Sequence, residues 1–243
     1  MRATELEFRL RFFIILALLV GGFWCGTSDS VNVAAVAAQS WVGHPVQLCV
    51  PSDRHVVQAV LALGAALAVL AALLRTWAAA YLRSEIVQDW RIHSERLVAD
   101  GPFRYVRNPL YLGALLFAVG FGLTASRLGF VVIVGGLTLF YCRLIAREES
   151  LLRASRGEPY HQFLMRVPRL VPSLSPRVAA GGIRPRWAQA VAGESFMWFF
   201  AVAVTCFAAT LNQTLLLTIT ASGVGASLLA KAVLQQIRQR RRC

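Results

Sequence analysis

One stretch of this chain concentrates groups able to bind and orient a charged ligand: Asp100-Gly101-Pro102-Phe103-Arg104-Tyr105-Val106-Arg107-Asn108-Pro109-Leu110-Tyr111-Leu112-Gly113. Gly101-Pro102 marks a turn. Pro109 suits the first position of a helix, where a missing N–H costs nothing, and Asn108 before it is expected to cap that helix. Arg107, Asn108 and the free amides of the first turn then converge at one helix mouth, which favours an anionic or carboxylate group. Tyr111 and Gly113 fall within the first turn or so, and a glycine there lets a ligand approach the backbone. The plainer alternative is a well-started membrane helix with an interfacial tyrosine and arginines on the inner side.

A second polar group is Arg147-Glu148-Glu149-Ser150, directly after an apolar run. Two adjacent carboxylates near lipid are costly unless paired or placed in a polar cavity. If the helix ended there, its dipole would also disfavour them. The helix is therefore expected to continue outward and the acids to serve a partner: Arg107, Arg143 or a cationic ligand. A solvated helix face is the alternative.

A third element reads Gly157-Glu158-Pro159-Tyr160-His161-Gln162-Phe163-Leu164-Met165-Arg166-Val167-Pro168-Arg169. Tyr160, Phe163, Leu164 and Val167 follow i, i+3, i+4, i+7 spacing. Arg166 and Arg169 flank this stripe, so it reads as an interfacial helix lying as a lid over the inner mouth of the membrane helices. His93 and His161 stand without metal-ligand company. The cysteines at 25, 49, 142, 206 and 243 have neither disulfide nor zinc spacing. No phosphate loop, nucleophile elbow, HExxH or CxxC occurs.

These groups must be held by membrane helices. Of 243 residues, 57% are hydrophobic and 15% charged, with mean hydropathy +0.57. A soluble domain averages about 45–50% apolar and about 25% charged, so this chain lacks the polar surface of a water-soluble globule. A span needs about 20 mainly apolar residues. Residues 56–74, 109–125, 128–145, 196–211 and 215–230 qualify, and the shorter run 12–25 is read as a retained first helix rather than a signal peptide. The expected fold is all-α, a polytopic membrane bundle of five to six spans with cytoplasmic amphipathic helices over the active site. Residues 1–54 form an N-terminal span and external loop, 55–172 the core, and 173–243 a helical hairpin with a basic tail.

Charge sets the orientation. The 25 basic against 12 acidic residues give +13 and a pI near 10.9. With the N-terminus in the cytoplasm, only Arg54 and Arg127 lie outside. Every other Lys and Arg, including tail residues Arg238, Arg240, Arg241 and Arg242, lies inside or at the inner edge. That asymmetry is a topology signal with attraction to anionic membrane lipid, not a nucleic-acid footprint. The long segments 75–108 and 146–193 put any chemistry on the cytoplasmic face, as in a bacterial inner-membrane protein.

The three motifs in this order, with Arg75-Thr76-Trp77-Ala78 upstream, resemble the isoprenylcysteine carboxyl methyltransferase family and the related phospholipid N-methyltransferases. The resemblance covers about residues 55–172. It implies transfer of a methyl group from S-adenosylmethionine to a lipid-soluble or prenylated acceptor, by carboxylate O-methylation or amine N-methylation. It further implies that Arg107 and the helix start at Asn108-Pro109 face the cofactor's carboxylate. Glu148 and Glu149 would face its ammonium or ribose, and Tyr105 or Tyr111 its sulfonium, with Gly113 in the same binding set. Arg166 or Arg169 would hold an acceptor carboxylate, and Glu149 or a water would take a proton from an acceptor amine. Asn108 stands where the family usually has His. It offers one acceptor and two donors and does not titrate, so its role is binding. Arg156-Gly157 replaces the usual Phe-Gly, and Phe163 the second Tyr. A membrane NADPH-dependent sterol or isoprenoid reductase and a non-catalytic protein of the same fold are the alternatives. The Arg-Asn-Pro-Leu-Tyr-Leu-Gly stretch favours the methyltransferases.

Overall fold

The computed structural model describes residues 2–82 and 100–240. His93, part of the segment 75–108, Arg241, Arg242, Cys243 and the side chains of Arg238 and Arg240 lie outside what is described.

The described residues are mostly helical and contain no β-strand. Helix α1 (Glu5–Arg9) opens with a capping box in which Thr4 and Glu7 satisfy each other's backbone amides. It leads into α2 (Arg11–Trp24). The segment read as an external loop holds a helix of its own, α3 (Val33–Val42), capped by Asn32 and closed by Gly43 in the left-handed conformation. Pro51 starts α4 (Pro51–Tyr81), the longest helix at 31 residues. Helix α5 (Pro109–Gly122) also starts on its proline. Helix α6 (Arg127–Arg156) contains a π-helical turn at Val131–Gly135. It is followed by the short α7 (Glu158–Arg166). Helix α8 (Trp187–Gly193) meets α9 (Ser195–Thr210) at a bend of 59°. Helix α10 (Gln213–Arg240) completes the order.

The apolar helices run alternately up and down. Gly64 of α4 lies against Gly120 of α5, and Arg75 against Gly113, so these two are antiparallel and nearly in backbone contact. The bond from Tyr111 to Glu148 and the packing of Gly122 on Phe130 set α6 antiparallel to α5. Gln58 donates to the Ala209 carbonyl at one end of α4, and Arg75 bonds Glu194 at the other, fixing α9. Ser195 with Ser227, and Gly223 beneath Phe199, do the same for α10. Helix α2 seats Gly22 against Gly129 and Ile133 of α6.

One apolar core joins α3, α4, α5, α9 and α10 around Leu61, Phe117, Phe121 and Val204, and a second joins α1, α2, α5 and α6 around Ile133, Leu137 and Leu144. Among the described residues two helices, α4 and α6, are long and apolar enough to cross a membrane, and the bent pair α8–α9 makes a third if taken as one span. Residues 11–27, 33–42 and 109–122 form shorter apolar helices. The 14 residues of α5 rise about 21 Å, less than a hydrocarbon core of about 30 Å. The all-α membrane bundle stands, with two to three full-length spans by this measure against the five to six expected.

Candidate functional site

Alternation of the helices brings the start of α5 and the end of α6 to one end of the bundle. The turn before α5 is tight: Gly101 has φ +57, and a side chain there would strike the Tyr81 ring. From Arg104 onward the chain is laced by the segment that follows α7. The Arg107 amide donates to the Pro168 carbonyl at 2.8 Å, the Ser173 amide to Tyr105 at 3.0 Å, and the Arg177 amide to Arg104 at 2.8 Å. Arg104 Nε donates to the Val178 carbonyl at 2.9 Å. The buried Asp100 carboxylate accepts from the amides of Gly181 and Ile183 at 2.7 and 2.9 Å. Residues 167–186, which hold no helix, are thereby tied to the motif at several points along their length.

Glu149 is the hub. It is 4% exposed, and a carboxylate that deeply buried needs partners. Arg107 Nη1 approaches at 3.2 Å, Arg169 Nη2 at 2.7 Å and Arg169 Nε at 3.3 Å. Asn108 Nδ2 donates to it at 3.4 Å and to the Arg169 carbonyl at 3.1 Å. Two guanidiniums against one carboxylate leave one positive charge in excess. Neighbouring Glu148 accepts from the Tyr111 hydroxyl at 2.7 Å, a neutral partner. The helix does run on past the acids, to Arg156.

Several expectations are corrected. Asn108 is the N-cap residue of α5, but its side chain makes no capping bond. Its φ of −122 and ψ of 60 depart from the extended geometry that turns a cap oxygen toward the first amides, and the amide group reaches Glu149 and Arg169 instead. Of the two arginines expected to serve the acids, Arg143 turns away and bonds both oxygens of Glu7 at 2.8 Å. Gly113 is not an open approach for a ligand: a Cβ there would meet Arg75 Cγ at 2.5 Å and the Ala71 carbonyl at 3.3 Å, so the space holds the Arg75 stem. The apolar stripe of α7 does not face lipid. Tyr160, Phe163, Leu164 and Val167 are buried with Leu152 and Val178, while His161, Gln162 and Arg166 are exposed. Burial, then the Glu149 charge, pushes the Tyr160 phenol up to about 12.

Tyr105 and Tyr111 lie on different helices' flanks. The Tyr105 ring sits 6.1 Å from Trp77 of α4, and the Tyr111 ring 5.5 Å from Tyr141 of α6. Arg107, Asn108, Glu149 and Arg169 form one bonded cluster, and the Tyr111–Glu148 pair adjoins it along α5 and α6, with Pro109 as the helix start. Among the described residues, Arg166 has no ion pair. A groove of about 640 Å³ between α4 and α9, lined by His55, Gln58, Ala62 and Thr205 among others, lies toward the other end and touches none of these residues.

The sequence reading missed Glu194. Its carboxylate takes Arg75 Nε at 2.7 Å and Nη2 at 3.1 Å. The available signal was its isolation, since no other Asp or Glu follows Glu158, yet it heads an apolar helix.

Residues 59–157 match the phospholipid methyltransferase family. A protein-S-isoprenylcysteine O-methyltransferase of Schizosaccharomyces pombe is 34% identical over 93 residues, covering 37% of this chain and 38% of the relative. The chain thus aligns with well under half the length of that relative. No solved structure matches. Both similarities support the kinship that the motifs suggest. The matched family segment contains Arg75, Arg107, Asn108, Tyr111, Glu148 and Glu149, and ends before Arg166, Arg169 and Glu194.

Proposed function

We propose that this protein is a membrane methyltransferase that uses S-adenosylmethionine to methylate a lipidic or prenylated acceptor at the cytoplasmic face. The observation that carries the reading is the constellation around Glu149 at one end of the bundle; all of its members except Arg169 lie in the family-matched segment. S-adenosylmethionine, when bound, supplies an activated methyl carbon on a positively charged sulfur. Methyl transfer is an in-line displacement with little acid–base chemistry, so alignment is the protein's main task, and good orientation is worth about 7–11 kcal/mol.

The residues present fit this donor. Arg107 Nε is buried and has no hydrogen-bond partner among the described residues, so a donor group remains for a carboxylate. The amides at the start of α5 add partial positive charge. Glu148, bonded by a neutral phenol rather than a guanidinium, suits an ammonium or ribose hydroxyls. Tyr105 or Tyr111 offers a ring face to a cation, at about 0.5–2 kcal/mol. Arg169 holds Glu149 and, with Arg166, is available to an acceptor carboxylate. For an amine acceptor, Glu149 or a water takes the departing proton. The name of the fission-yeast relative favours a prenylated acceptor and that of the matched family a phospholipid.

Thermal unfolding of the purified chain in detergent tests the donor. S-adenosylmethionine at 100 times its Kd contributes about 2.7 kcal/mol and raises Tm, while NADPH leaves it unchanged. A rise with NADPH alone would replace methyl transfer with reduction. Lipids from cells fed methyl-deuterated methionine, with and without this protein, identify the acceptor by the label it gains.

A further inference from the structure

Arg75 spends all three guanidinium nitrogens on fixed partners. Nε and Nη2 form a two-pronged pair with Glu194, and Nη1 donates to the Leu110 carbonyl at 3.1 Å. Both side chains of the pair are largely buried, 18% and 11% exposed. The stem packs where Gly113 has no side chain, and the guanidinium carbon lies 5.7 Å from the centre of the Phe196 ring. Leu110 sits in the first turn of α5, between Asn108, which bonds Glu149, and Tyr111, which bonds Glu148. Whatever moves that carbonyl moves both donors.

We propose that Glu194, outside the family-matched segment, is a positioning residue for the ligand constellation, acting through Arg75 on the first turn of α5. The C-terminal segment supplies the counter-charge that aims Arg75, and Arg75 sets the depth and rotation of the helix mouth. A planar guanidinium suits this task because its fork bonds a carboxylate in two places and still offers a third donor. Without the carboxylate the fork loses its aim. A displacement of about 1 Å that misplaces the reacting groups can cost about 100-fold in rate.

This inference rests on the methyl-donor reading, and its test separates the two. Kd for S-adenosylmethionine is measured by calorimetry on the full chain in detergent, for wild type, Glu194→Gln, Glu194→Asp and Trp198→Phe. Trp198→Phe removes a neighbouring bond across the same helix contact, from Trp198 Nε1 to Thr76 Oγ1 at 3.1 Å, without touching Arg75. Glu194→Gln is expected to weaken binding at least ~10-fold, Glu194→Asp to recover part of it, and Trp198→Phe to bind as wild type even where its Tm falls. Should Glu194→Gln fail to fold, Arg75→Lys keeps the charge opposite Glu194 but loses the fork, and the same weakening is expected. Wild-type affinity in Glu194→Gln, or equal weakening in Trp198→Phe, would overturn the positioning role. Failure of the wild type to bind would instead remove the methyl-donor reading.

Discussion

Arg107 Nη1 lies 3.2 Å from Glu149 Oε1, joining the residue just before the mouth of α5 to the outer turns of α6. The contact requires both helix ends to share one side of the bundle. It also explains how a carboxylate 4% exposed persists: two guanidiniums and an amide surround it.

Removing that carboxylate separates binding from folding. Glu149→Gln keeps the shape and loses the charge, and S-adenosylmethionine affinity is expected to fall at least ~10-fold, about 1.4 kcal/mol. Glu149→Ala leaves Arg107 uncompensated and is expected to cost about 3 kcal/mol of stability, at the low end because Arg169 is half exposed. Calorimetric titration and thermal unfolding read the two effects. Unchanged affinity in Glu149→Gln would take the acid pair out of the ligand site.

Tyr111 and Glu148 offer a finer probe. Tyr111→Phe removes the only donor the structure gives Glu148 among the described residues, and an unsatisfied buried acceptor costs about 1–3 kcal/mol. The variant should therefore melt below wild type. Glu148→Gln keeps a hydrogen-bonding partner for the phenol, so it should melt closer to wild type while binding the cationic ligand more weakly. The reverse ranking in Tm would refute a stabilising phenol–carboxylate bond.

Close packing of α4 on α5 makes its own prediction. A Cβ at Gly120 would run into the Gly64 carbonyl, whereas one at Gly21 meets nothing within 4 Å. Gly120→Ala must push the two helices apart, at about 1–3 kcal/mol. Gly21→Ala, also within a helix, should leave Tm unchanged or raised. Comparing the two melting curves checks the contact, and equal Tm values would contradict it.

Acid should weaken the end of the bundle opposite the constellation. Asp29 accepts from Arg127 Nη2 at 3.0 Å and from the Leu128 amide at 3.1 Å. The Arg127 bond holds its carboxyl below the usual carboxylate range. Because the folded value is the lower one, the bonds contribute fully above the unfolded value of about 3.9. Their contribution is lost as pH falls through the folded value. The Tm difference between wild type and Asp29→Asn should be constant at neutral pH and shrink as pH drops below about 4. A difference indifferent to pH would show that the charge contributes nothing.

How much of this was legible in the residues varies with the interaction. One helix start was: Pro109 sits at the head of α5 because its fixed φ and missing donor suit that position, whereas Pro51 and Pro159, which also head helices, were not read that way. The continuation of α6 past Glu148 and Glu149 was legible from the cost of ending a helix on two acids, and Arg107 was one of the partners the charges allowed, beside Arg143 and a cationic ligand. The choice between Arg107 and Arg143 was not, because Arg143 is drawn to Glu7, near the far terminus of the chain. The role of Asn108 misled, since a cap residue is recognised by type but caps only with the right backbone angles.

The order of apolar runs, the same-end placement of the motifs and the membrane-helix composition follow from the chain as written, because burying apolar surface in lipid depends on local pattern alone. The meeting of Glu194 with Arg75, the Arg75 stem filling the space at Gly113, and the inward turn of the α7 stripe depend on which helices become neighbours. That is set by shape and charge between distant residues, and no window along the chain contains it.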